Sequence, residues 1–299
     1  MKKFMLVGNC QTGPISSLMS LSKTFSETYD IVPFSLIHTV DKTTLSDISL
    51  IKKVDLIISQ QLYNEQFGIF NTKVLSEICK KENVQLIILS NPFFKGYYPF
   101  AIHLHNIDPQ KQKVPISQDG IIFYSYHKKL TVEQACTLWT KISSSTVTRD
   151  FATKTCASSL KEFVQRERHE PSTEVVLRYF LKNYRSKKLM HSLNHPTNIL
   201  YKEIVQTYMR SLGINEEIPI PKNELQGNVS YPIMDAVRHA LRLTHACDDA
   251  FTVFGIKKDL LSYAEYLYDF YKNNTEIFKL NVHRCTTTID TISEIESSL

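Results

Sequence analysis

The residue with the most chemical promise stands in the segment Val7-Gly8-Asn9-Cys10-Gln11. A cysteine flanked by two side-chain amides joins a nucleophile to hydrogen-bond donors, the combination needed to attack a carbonyl and to hold the resulting oxyanion. Cys10 follows the apolar run Phe4-Met5-Leu6-Val7, and Gly13-Pro14 opens a helical stretch just beyond it. The thiol is therefore predicted at the carboxyl end of a first strand, beside a helix amino terminus, where an α/β sheet binds its ligands. Free N–H groups and the helix dipole favour an anion at such a place and are expected to lower the thiol's pKa. A small buried cysteine filling a strand end is the plainer alternative. Asn9 and Gln11 favour chemistry, because amides are poor core formers and good donors.

Two more polar residues end apolar runs in the same way: Gln60 in Ser59-Gln60-Gln61 and Asn91 in Ser90-Asn91-Pro92. Together with Asn9 and Gln11 they are candidates for holding an oxyanion or positioning a substrate, although Asn-Pro is also an ordinary turn signal. A thiol nucleophile needs a base, and histidine is the usual one. Of ten histidines, His195 in His191-Ser-Leu-Asn194-His195-Pro196 is best placed, in a polar stretch between helices with Asn194 able to orient its ring. His103 and His105 alternate on an extended segment and are rivals for the role. Arg178, Lys182, Arg185 and Lys188 lie in a basic stretch with Tyr179 and Tyr184, suited to the phosphates and base of a nucleotide, or simply to a solvated helix face.

The elements that must position these side chains can be read from periodicity. Short apolar runs at Lys3 to Val7, Tyr29 to Leu36, Val54 to Ser59 and Val84 to Leu89 are predicted as strands, the last two buried on both faces. Helices are predicted at Gly13 to Ser22 and Asn71 to Lys81, with a loop or short helical piece from Thr43 to Lys52. This is an α/β pattern: an N-terminal, mainly parallel sheet with flanking helices, Rossmann-like or SGNH-like in layout. Beyond about Leu130 the period becomes helical, and Thr131 with Gln134 suits a capped start. Further helices are predicted at Thr148 to Arg166, Ser172 to Tyr184, Asn198 to Leu212, Tyr231 to Thr244 and Leu260 to Tyr271. The stretch Gly213 to Val229 reads as an extended surface connection. Residues 1–125 are thus expected to form the nucleophile-bearing lobe, and residues 126–299 a largely α-helical lobe packed against it.

The whole chain narrows the function. Its 299 residues, 42% hydrophobic and 22% charged, describe a globular protein, and a net charge of +5 is too small to suggest a nucleic-acid groove. The N-terminal apolar run is too short for a leader or a membrane span, so a cytoplasmic protein without a transmembrane segment is expected. Six cysteines without regular spacing indicate free thiols and no metal site, the nearest ligand cluster being His245-Ala-Cys247-Asp248-Asp249. A Rossmann dehydrogenase is disfavoured, since the first turn lacks Gly-x-Gly-x-x-Gly and no acidic residue stands at Leu36-Ile37-His38.

Three segments together, Val7-Gly-Asn-Cys-Gln11, Asn91-Pro-Phe-Phe-Lys-Gly-Tyr-Tyr-Pro99 and Leu193-Asn-His-Pro-Thr197, resemble the WcbI-type polysaccharide biosynthesis acetyltransferases. The resemblance spans roughly residues 3 to 215. It implies coenzyme A or acetyl-CoA as the thioester ligand, and O-acetylation of a sugar hydroxyl, on a glycan or nucleotide-sugar, in capsular or other surface polysaccharide biosynthesis. It also implies Cys10, Gln11 and His195 at the site, with Gln60 and Asn91 as neighbours. The chain departs from the family's pattern at Tyr98-Pro99-Phe100, where His-Pro-Asp is common, and at Ser117-Gln118-Asp119, where Tyr-His-Ser is common. The base therefore stays open among His195, His103 and His105. A cysteine-dependent esterase of SGNH-like layout and a non-catalytic glycan- or nucleotide-binding protein are the competing readings.

Overall fold

The computed structural model describes residues 1–168, 170–246 and 248–299, with Gln110 described by its backbone alone; Cys247 lies outside the described residues. The chain begins with β1 (Lys2–Val7) and α1 (Thr12–Met19), followed by α2 (Lys23–Thr28), whose N-terminus is capped by the Ser22 hydroxyl. Next come β2 (Tyr29–Val32), β3 (Leu56–Gln60), α3 (Thr72–Glu82) and β4 (Gln85–Leu89). The second strand is shorter than predicted because Pro33, which has no N–H to donate to a ladder, follows Val32. The Thr43 to Lys52 stretch forms two short 3-10 turns, Thr44–Ser46 and Ile48–Lys53.

All pairings among these four strands are parallel, in the order β2-β1-β3-β4. The order reverses at β1, so the crevice beyond the carboxyl ends of β1 and β3 is a topological switch point, where such sheets bind ligands. Register makes those ends level: Val7 pairs with Ser59, and Gln60 with Leu89. Val7, Ile57, Ile58 and Leu89 are fully buried, as both-face burial of parallel strands requires.

Beyond residue 92 come β5 (Ala101–His103), α4 (Pro109–Gln112), β6 (Ser117–Asp119), α5 (Gly120–His127), α6 (Val132–Ser144), α7 (Thr146–Glu167), α8 (Pro171–Asn183) and α9 (Asn198–Ser211). They are followed by β7 (Val229–Ser230), α10 (Asp235–Leu241), β8 (Phe251–Val253), β9 (Ile256–Lys258), α11 (Leu260–Asn273), α12 (Thr275–Arg284) and α13 (Thr286–Glu296). The C-terminal half is therefore largely helical, as expected, with an antiparallel three-stranded sheet β7-β8-β9 in addition. Thr131 and Gln134 form the predicted capping box of α6.

Several expectations need correcting. The helix expected from Tyr231 is only α10, because Val229 and Ser230 pair in a strand, Pro232 follows, and Arg242 closes the helix at φ 53°. Beyond α11, where no element was predicted, the chain folds into α12 and α13. α5 was not foreseen because Ile121, Ile122, Phe123 and Tyr124 are all fully or almost fully buried, and burial on every side leaves no periodic stripe. The Gly213 to Val229 stretch is extended but not superficial, since Ile214, Ile218 and Gln226 are buried.

Two compact units share the chain. One comprises Met1–Pro92, Val164–Lys182 and Pro196–Gln226; the other comprises Phe93–Phe163, Asn183–His195 and Gly227–Leu299. In the first, a core of Met5, Val7, Ile57, Leu62, Phe70 and Leu75 lies on one side of the sheet, and α9 packs on α1 and β4. In the second, α5 is surrounded by α6, α11 and α13. No helix among the described residues is long and apolar enough to cross a membrane.

Candidate active site at the first strand

The strand ends of the first unit bring four of the predicted residues together. The Asn9 N–H donates to Gln60 Oε1 at 2.8 Å, and the Gln11 N–H donates to Asn9 Oδ1 at 3.0 Å. Gln60 Nε2 donates to Gln11 Oε1 at 3.1 Å and to Asn91 Oδ1 at 3.3 Å, which engages both of its hydrogens. Asn9 Nδ2 reaches Asn91 Oδ1 at 3.2 Å, and Gln11 Nε2 donates to the Pro92 carbonyl at 3.0 Å. These amides were expected as donors to a ligand; most of them instead lock one another and fix the turn that carries Cys10. Asn91 Oδ1 accepts two hydrogen bonds, which orients the amide so that Nδ2 is the donor left without a partner among the described residues.

The lock is backed by a second layer. The Asn91 N–H donates to Glu167 Oε1 at 3.1 Å, and the Ser90 N–H donates to the Tyr208 hydroxyl. Glu167 is 1% exposed, and neither its Oε2 nor Ser90 Oγ makes a hydrogen bond of ordinary geometry. Burial pushes the Glu167 carboxyl up to about 7, against the pull of the Asn91 N–H, the nearby Ser90 hydroxyl and Arg166.

Cys10 is partly exposed. Its carbonyl accepts a 2.9 Å hydrogen bond from Gln226 Nε2, and Gln226 Oε1 in turn accepts from the Tyr201 hydroxyl. Burial raises the thiol's pKa; the Gln226 amide and the cysteine's own N–H pull against it without prevailing. The sequence-based expectation of a lowered pKa is thus reversed, because desolvation outweighs the local donors. Gln226 and Tyr201 were missed: Gln226 sits in a stretch without periodicity, and Tyr201 looks like any aromatic on a helix.

The histidine candidates all belong to the second unit. Burial, followed by the neighbouring His191, holds the His195 ring down to about 4, so it is neutral at physiological pH. The Val229 carbonyl accepts a ring N–H, while Nδ1 is buried without a hydrogen bond among the described residues. Asn194 is half-buried beside it. His103 stands at the end of β5, and desolvation, then the charge of His105, lowers its pKa. His105 lies just past that strand with its backbone N–H and carbonyl both bonded to the Asn281 side chain, at 2.8 and 3.1 Å. Of the basic candidates, Arg178 is paired with Glu174 at 2.7 Å and Lys188 with Asp248 at 2.8 Å. Lys182 is exposed, and Arg185 lies over the Tyr184 ring at 5.3 Å.

The family model described as polysaccharide biosynthesis enzyme WcbI matches residues 3–217. The chain belongs to the WcbI family. The match takes in the strand-end lock, Glu167, Tyr201 and His195, and stops short of Gln226 and of every element from β7 onward. A search of curated proteins gave no match. Among solved structures, a WcbI described as a novel polysaccharide biosynthesis enzyme, in its native form without a disulfide bond between coenzyme A and a cysteine, shares the fold. It has a TM-score of 0.73 at 17% identity, over 97% of this chain and 99% of that one. The segments Tyr98-Pro99-Phe100 and Gln118-Asp119 line one cavity of about 20 Å³ in the second unit, together with Tyr97 and Tyr231. That volume holds about one water. Tyr98 there donates to the Met190 carbonyl at 3.0 Å and Phe100 stacks on Phe151, so aromatic packing occupies the first of these positions. Asp119 caps α5 by accepting from the Ile121 and Ile122 N–H groups at 2.9 and 3.1 Å. Among the described residues no group of three or more His, Cys, Asp or Glu could hold a metal ion.

Proposed function

We propose that this WcbI-family enzyme transfers an acyl group, acetyl being the simplest, from a coenzyme A thioester to a sugar hydroxyl of a polysaccharide or its nucleotide-sugar precursor. The observation that carries the reading is the Cys10 turn: a partly buried cysteine at the switch point of a parallel sheet, fixed by four interlocked amides, with the Asn91 amide left as a donor. The pairing of coenzyme A with a cysteine in the description of the WcbI relative supports placing the thioester at Cys10.

In this reading the Cys10 sulfur attacks the thioester carbonyl carbon. Its raised pKa means that the thiol must give up its proton to a base as it attacks. That proton passes to the departing coenzyme A sulfur, leaving an acyl-Cys10 thioester. The acceptor hydroxyl then attacks this thioester, giving its proton to the base, and the proton returns to the Cys10 sulfur as it leaves. His195, held neutral, is the proposed candidate for that base. Asn91 Nδ2 is the proposed donor to the oxyanion in both steps, with Asn9 and Gln11 holding the turn. Lys182 and Arg185 are the proposed phosphate contacts, because Arg178 and Lys188 are already held by carboxylates.

Intact-protein mass spectrometry after incubation with acetyl-CoA tests the reading. Wild type is expected to gain one acetyl group that Cys10→Ala does not, and a sugar acceptor is expected to discharge it. His195→Ala is expected to slow acetyl transfer about 10²- to 10⁴-fold. Acetate release that no acceptor accelerates would assign the chain to the esterases. No adduct and no binding of coenzyme A would assign it to the non-catalytic binders.

A further inference from the structure

We propose that Gln226 is a positioning residue for the reactive cysteine, with its amide nitrogen bonded to the Cys10 carbonyl and its amide oxygen held by Tyr201. The assignment deepens the acyl-transfer reading and rests on it for its purpose, but its geometry stands alone. Gln226 Nε2 donates to the Cys10 carbonyl at 2.9 Å, across 216 residues of sequence. Its Oε1 accepts from the Tyr201 hydroxyl, and the amide cannot turn over without setting two hydrogen-bond acceptors, Oε1 and the Cys10 carbonyl, against each other. Gln226 is 7% exposed and Tyr201 is fully buried.

A buried glutamine this far from the cysteine in sequence has no local reason to be there. The neighbouring backbone explains how it arrives. Asn198, at the start of α9, ties down the chain just before Gln226: its Nδ2 donates to the Pro221 and Asn223 carbonyls at 3.1 and 2.9 Å, and its Oδ1 accepts the Leu225 N–H at 3.0 Å. The Asn198 N–H donates in turn to Glu224 at 2.7 Å. The otherwise irregular 221–226 segment is thus fastened to the first turn of α9, one helical turn from Tyr201, and it delivers the amide to the cysteine.

The same amide, fastened to the cysteine's own backbone, favours the ionised form of the thiol. An amide N–H stabilises a thiolate more than a thiol, because a charged acceptor strengthens the hydrogen bond. Gln226 is the foremost influence opposing the burial of Cys10, as its effect on the thiol's acidity shows. The titratable side chain facing the thiol within the unit is the Tyr201 phenol on α9, whose own ionisation burial and the thiol hold well above its ordinary range. It therefore stays neutral and acts through the Gln226 amide. Because the family match ends at residue 217, Gln226 comes from a part of the chain that membership does not describe.

The test is the pH dependence of Cys10 alkylation by iodoacetamide, followed on the Cys10 peptide by mass spectrometry so that the other cysteines do not contribute. Gln226→Leu, which keeps the bulk and removes the donor, is expected to move the inflection upward by roughly one pH unit. Gln226→Glu, which keeps the shape and the acceptor for Tyr201 but replaces the donor by a carboxylate, is expected to move it further. Tyr201→Phe, which removes the donor that holds the amide oxygen, is expected to give a smaller shift in the same direction. Thermal unfolding of each variant separates a positioning effect from loss of the fold. If Gln226→Leu does not fold, Gln226→Glu and Tyr201→Phe decide. Folded variants with the wild-type inflection would overturn the assignment. Alkylation requires neither acetyl-CoA nor acceptor, so a shifted inflection without acyl transfer would sustain Gln226 and overturn the acyltransferase reading, and acyl transfer with unmoved inflections would do the reverse.

Discussion

Gly8 sits where the reactive turn leaves the least room. A Cβ there would stand 2.5 Å from Gln60 Oε1, the atom that accepts the Asn9 N–H, so even alanine would push the lock apart. Glu167 is the other residue on which the turn leans, and it makes the site's support sensitive to pH. Its carboxyl titrates near 7 in the fold, above the reference value of 4.5, so the native state holds a proton that the unfolded chain releases first. The stability this brings is complete below pH 4.5 and is lost as pH rises through 7. Glu167→Gln removes the titration, and at pH 8 it is expected to be more stable than wild type by an amount on the order of 3 kcal/mol. The gap should close near pH 4.5. Urea unfolding at pH 5 and pH 8 reads it directly, and an equal gap at both values would contradict a raised Glu167 pKa.

At the scale of elements, the site depends on strand ends being level and on helices closing in behind them. The parallel register sets Val7 beside Ser59 and Gln60 beside Leu89, which carries Asn9, Gln60 and Asn91 to one edge. α9 supplies two tyrosines to this edge: Tyr201 to Gln226, and Tyr208 to the Ser90 N–H. Tyr208→Phe leaves that buried N–H without an acceptor and is expected to cost about 1–3 kcal/mol. Chemical denaturation measures the loss, and an unchanged midpoint would mean that water replaces the phenol. The strands and the strand-end amides were legible in the sequence because apolar runs of five or six residues ending in Gly-Asn-Cys-Gln, Ser-Gln or Ser-Asn-Pro carry both period and punctuation. α5 was not, because its burial on all sides erases period. The role of the amides was legible only by type: the sequence shows donors, and the hydrogen-bond partners show that most of them hold one another.

At the scale of the whole molecule, each compact unit is assembled from three separate stretches of chain. The C-terminal helices belong to the second unit and complete its core: Tyr124 donates to Glu296 at 2.5 Å, and the Phe123 ring lies 4.8 Å from that of Phe278. Removing residues 275–299 uncovers Phe123 and Tyr124, both 1% exposed or less. The shortened chain is expected to bind a hydrophobic dye and to lose its cooperative thermal transition. A sharp wild-type melting curve would show that these helices are dispensable.

The sequence by itself determined the parallel N-terminal sheet, the helical second half, the WcbI family and the place of Cys10 at a strand tip. Each of these is written in short-range pattern, as apolar period, capping residues or a contiguous motif. Only the tertiary structure decided that the thiol's pKa rises rather than falls, that Glu167 titrates near 7, and that Gln226 reaches the cysteine. Those properties depend on how much water is excluded and on which distant segments meet, and neither desolvation nor a contact across 216 residues leaves a mark on neighbouring letters.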